Sequence, residues 1–213
     1  ALAAGLAIAL ALAHAGEPIR PGQLTRSDTC GECHRDIYRM WRSSAHANAM
    51  EDSIFLDAFR VAEATEGAAV TRKCLKCHAP TIDVSGDLAL KEKITWEGVT
   101  CDICHGLVSV DLSGMGPRLN FEIGPVKRGP IKDAESMAHE VAYSELHSTA
   151  LACAGCHEYV NPEGTPIITT YTEWQQSVAA KEQKTCQSCH MARTSADVVD
   201  PRVKRVEKAE VNL

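Results

Sequence analysis

At 213 residues and 23.0 kDa, with 45% hydrophobic residues and a mean hydropathy of -0.16, the chain has the composition of one globular domain or two small ones. It is neither disordered nor polytopic in membranes. Lys+Arg 22 against Asp+Glu 28 leaves a net charge of -6, which excludes the strongly basic footprint of a nucleic-acid binder. Aromatic residues make up only 5%, so something other than phenyl rings must fill much of the interior.

Residues 1–15 open the chain as an alanine- and leucine-rich run ending in Ala13-His14-Ala15 before Gly16, the small-x-small form of a signal-peptidase site. The expectation is a signal peptide remnant or, alternatively, an N-terminal anchor. As written, the run would span only about 22 Å as a helix, against about 30 Å for a bilayer core. Either reading places residues 16–213 outside the cytoplasm, periplasmic or extracellular, with tethering to the inner membrane as the second option.

All ten cysteines then fall in Cys-x-x-Cys-His pentapeptides: Cys30, Cys33 and His34; Cys74, Cys77 and His78; Cys101, Cys104 and His105; Cys153, Cys156 and His157; Cys186, Cys189 and His190. In this motif two thiols form thioethers to haem vinyl groups and the adjacent imidazole becomes the proximal iron ligand. Five covalently bound haem c groups are expected. A disulfide framework does not require a histidine after every second cysteine, and zinc ribbons do not require it five times.

The gaps between motifs (35–73, 79–100, 106–152, 158–185) are too short for separate domains, so residues 16–213 read as a single pentahaem domain with a charged C-terminal tail after Val203. The expected fold is mainly α with extensive irregular loops and little β, organised around stacked haems whose faces replace a conventional core. Ile37 to Met50 reads as a helix, and Asp52 to Thr65 as another, with Phe55, Ala58, Phe59 and Ala62 at helical spacing. Ser113 to Pro130 is Gly/Pro loop, with a hairpin there as the one expected strand pair. Asp133 is read as the cap of a helix to about Thr149, and Thr172-Glu173-Trp174-Gln175 as a capping box opening a helix toward Lys184.

Beyond the five proximal histidines, His14, His46, His139 and His147 remain, and His14 falls in the N-terminal run. Three distal candidates, His46, His139 and His147, therefore serve five haems. On the expected helix, His139, Tyr143 and His147 would lie on one side and could serve two haems. The remaining haems must be five-coordinate, use another ligand, or borrow one from a neighbouring chain. Methionines are read as gap-fillers. Arg35, Arg39 and Arg42, at helical spacing beside the first motif, are read as a solvated face, with propionate pairing as the alternative.

Cys30-x-x-Cys33-His34 followed by Trp41-x-x-Ser44-x-His46-Ala47-x-Ala49-Met50, together with Gly98-Val99-Thr100-Cys101-x-x-Cys104-His105-Gly106, resembles the tetrahaem cytochrome c family that accepts electrons from hydroxylamine oxidoreductase. The likeness covers about residues 28 to 106. It implies a haem-stacked helical fold with mostly bis-histidine sites, and it implies that His46 is the distal ligand of the haem whose proximal ligand is His105. The chain departs from the family in carrying five motifs rather than four. Trp174-x-x-Ser177 echoes Trp41-x-x-Ser44, but Ala179 stands where the first copy has His46.

These features together predict an electron carrier rather than an enzyme, with no catalytic residues assigned, working with redox protein partners and no nucleic acid. Five haems would lower the charge to about -11, favouring partners with a basic docking patch. Two alternatives are carried: a subunit of a membrane complex or of a cytochrome filament of neighbouring copies, and an oxidoreductase acting on a small nitrogen or sulfur species at an open haem.

Overall fold

A turn of helix brings residues three apart onto one side, and this is how the paired thiols are presented. The computed structural model describes residues 22–113, 118–191, 193–202 and 209–212. In it each pentapeptide lies on or at the end of a short helix: Ser27–Gly31, Ala68–His78, Cys101–Gly106, Leu151–His157 and Cys186–His190. The expected leader or anchor, residues 1–15, lies outside the described residues; among those described, no helix is long and apolar enough to cross a membrane.

Asp52 starts the helix Ser53–Glu66 by accepting the Phe55 amide at 2.8 Å, and Gly67, at φ 81°, ends it. This helix packs on Ala68–His78, and together they enclose an apolar cluster of Met50, Phe59, Leu75, Ala79 and Ile82, flanked by Phe55, Leu90 and Trp96. Many other buried apolar side chains are small, among them Ala47, Ala150, Ala154 and Ala196. The side-chain interior is as slight as the composition implied.

Two short helices differ from expectation for local reasons. The helix read over Ile37 to Met50 is Arg35–Arg42, followed by turns. Ser43 Oγ donates to Met40 O, Ser44 Oγ accepts the Ala47 amide, and Asn48 Nδ2 donates to Ser44 O, so side chains compete with the helical ladder. The capping box at Thr172 does not form. The helix is Thr170–Gln176, Thr169 Oγ1 donates to Glu173 Oε1, and Thr172 bonds the Glu158 carboxylate through both its amide and its hydroxyl.

The helix expected from Asp133 to Thr149 is absent. Glu140–Tyr143 is a strand paired in parallel with Val126–Gly129, and Glu145–Ser148 is a single 3-10 turn. Val141 and Tyr143 suit a strand, and the available edge at Val126–Gly129 decides between the two periodicities. His139 and His147 therefore do not share a helix face.

Three antiparallel pairs complete the β content. Leu107–Asp111 with Arg118–Phe121 is the hairpin expected in the Gly/Pro region, Tyr159–Val160 pairs with Pro166–Ile168, and Arg193–Ala196 pairs with Ala209–Asn212. The last pair gives part of the tail a place in the fold. The class is mainly helical with small two-stranded sheets.

Gly98 joins the third pentapeptide to the His46 segment. It sits at φ 67°, where a Cβ would lie 2.3 Å from His46 O, and the next residue, Val99, donates its amide to that same oxygen at 2.9 Å. Trp41 Nε1 closes the junction by donating to Val99 O at 2.9 Å.

Candidate functional site

All ten cysteines are free thiols, which sets aside a disulfide framework. They meet across motifs: Cys30 is hydrogen-bonded to Cys101, Cys77 to Cys156, and Cys153 to Cys186. Cys104 lies close enough to Cys153 and Cys156 to act on both electrostatically. The first pentapeptide thus adjoins the third, the second and fifth adjoin the fourth, and the third adjoins the fourth. The fourth stands at the centre of the arrangement.

The imidazoles meet in pairs. Ring centroids are 6.1 Å apart for His34 and His139, 6.2 Å for His46 and His157, and 6.1 Å for His105 and His147. An imidazole nitrogen binds a first-row metal at about 2.0 Å and lies about 1.1 Å from its ring centroid, so two imidazoles on opposite sides of one ion stand about 6.2 Å apart. Every pair joins one pentapeptide histidine to one of the three remaining described histidines. Among the described residues no histidine stands at this spacing from His78 or His190. His46 lies opposite His157, not His105 as the resemblance implied; the strand and turn that replace the expected helix bring His147 to His105 instead.

Backbone carbonyls orient three of the five pentapeptide histidines. His34 Nδ1 donates to Val198 O, His78 Nδ1 to Ala49 O at 2.9 Å, and His105 Nδ1 to Arg128 O at 2.6 Å. Each bond leaves Nε2 with its lone pair, as a metal-ligating histidine requires. Burial lowers the pKa of His46 and of His157, so both rings stay neutral near physiological pH. Cys104 and His105 are exposed to water, yet the chain packed around them pushes the Cys104 thiol up and the His105 imidazole down from their ordinary values. The donor set and its tautomers fit haem c. Among the described residues no three His, Cys, Asp or Glu side chains converge as a metal cage.

Several contributors were invisible to motif spacing. Phe55, read only as one of the residues at helical spacing, is stacked on His78 at 3.8 Å. Asp102, inside the third motif and 1% exposed, pairs with Lys127 and accepts the Thr25 amide. Gln187, inside the fifth, donates to His147 O and Thr149 O. The arginines read as a solvated face are 43–68% exposed and also ion-paired: Arg35 with Asp200 at 3.0 Å, Arg39 with Asp36 at 3.8 Å and Arg42 with Glu51 at 3.7 Å.

Known proteins resemble the chain in sequence and fold. Residues 29–106 match the family model described as cytochrome c554 and c-prime, the same stretch that carried the resemblance. The chain is 26% identical over 171 residues to cytochrome c-554 of Nitrosomonas europaea, covering 71% of this chain and 65% of that protein. It superposes on a crystal structure of a penta-haem cytochrome c552 from Thermochromatium tepidum with a TM-score of 0.65 and 25% identity, covering 81% of this chain and 55% of that one. The chain thus spans under two thirds of the length of either relative. It is a multihaem c-type cytochrome, matched to the cytochrome c554 and c-prime family over residues 29–106 and sharing its fold with a penta-haem cytochrome c552.

Proposed function

We propose that this chain binds five haem c groups and relays electrons between redox proteins outside the cytoplasm. The observation that carries the reading is the set of three histidine pairs, drawn from remote parts of the chain, at 6.1–6.2 Å. The haems supply one-electron chemistry when bound. The chain does the rest. Cys30, Cys33, Cys74, Cys77, Cys101, Cys104, Cys153, Cys156, Cys186 and Cys189 hold the macrocycles, and His34, His78, His105, His157 and His190 are proximal ligands. His139, His147 and His46 are the distal partners of His34, His105 and His157.

The thiol contacts order the relay. Sites one, three and four follow in series, and sites two and five branch from the fourth. A branched relay suits a carrier that takes up and delivers electrons at different faces. The acidic balance of the chain favours partners with basic docking patches.

Among the described residues no histidine faces His78 or His190, which keeps a second reading in view: ligand supply by a neighbouring copy or a membrane complex, or chemistry on a small nitrogen or sulfur species. At His78 the flanking ring is Phe55, an apolar group with no proton to give, which favours the carrier. The test is intact mass with low-temperature EPR on purified monomer. Five haem additions with three low-spin and two high-spin irons support the proposal; fewer haems, or more than three low-spin irons in a monomer, overturn it. Turnover of nitrite or hydroxylamine would favour the enzyme instead.

A further inference from the structure

We infer that the turn over residues 177–184 is a docking site for a second c-type cytochrome, which seats a haem-attachment helix there beside the fifth pentapeptide. The inference rests on the haem reading above and names a surface and a partner class that reading leaves open.

The chain contains one two-haem unit twice. Tyr38-x-x-Trp41-x-x-Ser44 lies between the first and third pentapeptides, and Tyr171-x-x-Trp174-x-x-Ser177 between the fourth and fifth. The bonding repeats with the residues. Trp41 Nε1 donates to Val99 O at 2.9 Å and Trp174 Nε1 to Lys184 O at 2.8 Å, each acceptor standing two residues before a motif cysteine. Ser44 Oγ accepts the Ala47 amide at 3.2 Å, and Ser177 Oγ the Ala180 amide at 3.3 Å. The Val99 amide donates to His46 O at 2.9 Å, and the Lys184 amide to Ala179 O at 2.8 Å. Even the left-handed residue before that amide recurs, as Gly98 at φ 67° and Gln183 at φ 58°. Ala179 is thus the counterpart of His46 in backbone as well as in sequence. Residues 47–97, with the second pentapeptide, fill the place that residues 180–182 take in the second copy.

In the first copy this turn serves a haem outside its own unit. His46 faces His157, at the end of the helix Leu151–His157 that opens the second unit, with ring centroids 6.2 Å apart. The molecule therefore shows what such a turn receives: an attachment helix with its haem. In the second copy the seat keeps its shape, and Val178, beside Ala179, is 65% exposed. Lys181 lies three residues from Val178 on the same short helix, is exposed, and makes no ion pair among the described residues. Lys181, Glu182 and Lys184 are the charged residues of the turn, a local positive excess on a chain of net charge -6. Small apolar side chains beside a free ammonium complement a haem edge with its propionate carboxylates. A histidine at 179 would bond the visiting iron and hold it; alanine leaves the seat without the bond, which suits a partner that must dissociate. Across the contact one electron passes from a ferrous to a ferric iron, and no bond is made or broken.

The experiment uses whole haem-loaded protein and, as probe, a haem undecapeptide: haem c on a Cys-x-x-Cys-His peptide with the sixth position of its iron open. Ala179→His should convert the peptide from high to low spin at one per chain, about 100-fold tighter than Val178→His does, because ligand and seat act together. Equal binding by the two variants overturns the inference. So does an extra low-spin iron in monomeric Ala179→His before peptide is added, since the turn would then face one of the chain's own haems. Self-association of Ala179→His in sedimentation would make the occupant a second copy and overturn the choice of partner. In the unsubstituted protein, carbodiimide should couple the peptide's carboxylates to Lys181 ahead of the other lysines; coupling spread evenly over them overturns the inference. If Ala179→His does not fold, the coupling still decides. Protein without covalent haem would instead defeat the wider reading.

Discussion

Phe55 lies face to face on His78, with ring centroids 3.8 Å apart and planes 7° from parallel. The two side chains come from adjacent helices, one started by Asp52 and the other ended by the second pentapeptide. The stack and the bond from His78 Nδ1 to Ala49 O together fix the orientation of an imidazole that no described histidine faces. Phe55→Ala removes the stack and the contact with Phe59. A fully buried Phe→Ala costs about 3–5 kcal/mol, and Phe55 is only half-buried, so a loss of about 2 kcal/mol is expected in denaturant unfolding. The high-spin EPR signal should change shape as the freed imidazole turns, while the low-spin signals stay. An unaltered high-spin line would show that Phe55 does not orient His78.

His46→Ala should remove one low-spin iron, and the shape of the lost signal identifies the site. The planes of His46 and His157 are 67° apart, whereas those of His105 and His147 are 10° apart. Nearly crossed imidazoles leave two iron orbitals close in energy and give a strongly anisotropic low-spin spectrum; nearly parallel ones split them and give a rhombic spectrum. The substitution is therefore expected to delete the strongly anisotropic signal. Loss of the rhombic signal would restore the pairing with His105 that the family resemblance implied.

That pairing shows what the sequence can and cannot carry. Two thiols and an imidazole within one helical turn are local chemistry, so all five pentapeptides and their proximal histidines can be read directly. The three further histidines emerge by subtraction, but their partners depend on segments far apart in the chain. His139, Tyr143 and His147 fit a helix by spacing and a strand plus turn equally well; the edge at Val126–Gly129 decides, and nothing in the pattern announces it. The carbonyls of Val198, Ala49 and Arg128 have no residue signature at all. Asp102 and Gln187 occupy the x positions of their motifs, where the spacing rule is silent.

The segment carrying Val198 is strapped to the first pentapeptide by charge. Asp200, 6% exposed, accepts from Arg202 Nη2 at 2.6 Å and pairs with Arg35 at 3.0 Å, and its amide donates to Cys33 O at 2.6 Å. Hydrogen bonds from the Arg202 side chain and amide, with the charges of Arg202 and Arg35, hold the carboxyl well below the usual range. A pKa depressed from an unfolded value of about 3.9 means stabilisation present above that value and lost as pH falls through the folded one. Hydrogen exchange around His34 should thus be unchanged by this group from neutrality to about pH 5 and rise only in stronger acid. Asp200→Asn should raise that exchange at neutral pH and flatten the acid response. A transition between about pH 5 and 7 that Asp200→Asn abolishes would contradict this sign.

Asp102 and Lys127 make the costliest ionic contact to break. Asp102 is 1% exposed between Cys101 and Ile103, and its carboxylate takes both the Lys127 ammonium and the Thr25 amide, the latter at 2.5 Å. Lys127 is 13% exposed and precedes Arg128, whose carbonyl orients His105, so the pair ties the orienting strand to the third pentapeptide. Asp102→Ala leaves a largely buried ammonium unpaired and should cost about 3–5 kcal/mol in denaturant unfolding. The double change Asp102→Ala with Lys127→Met should recover most of that loss, because the charge that needed a partner is gone. Potential should follow the same logic in a spectroelectrochemical titration. Removing a buried negative charge makes an electron easier to accept nearby, so one midpoint should rise in Asp102→Ala and return toward its original value in the double variant. Equal instability in both variants would shift the weight to the Thr25 amide, which loses its acceptor in either case, and would make the ion pair incidental to the site.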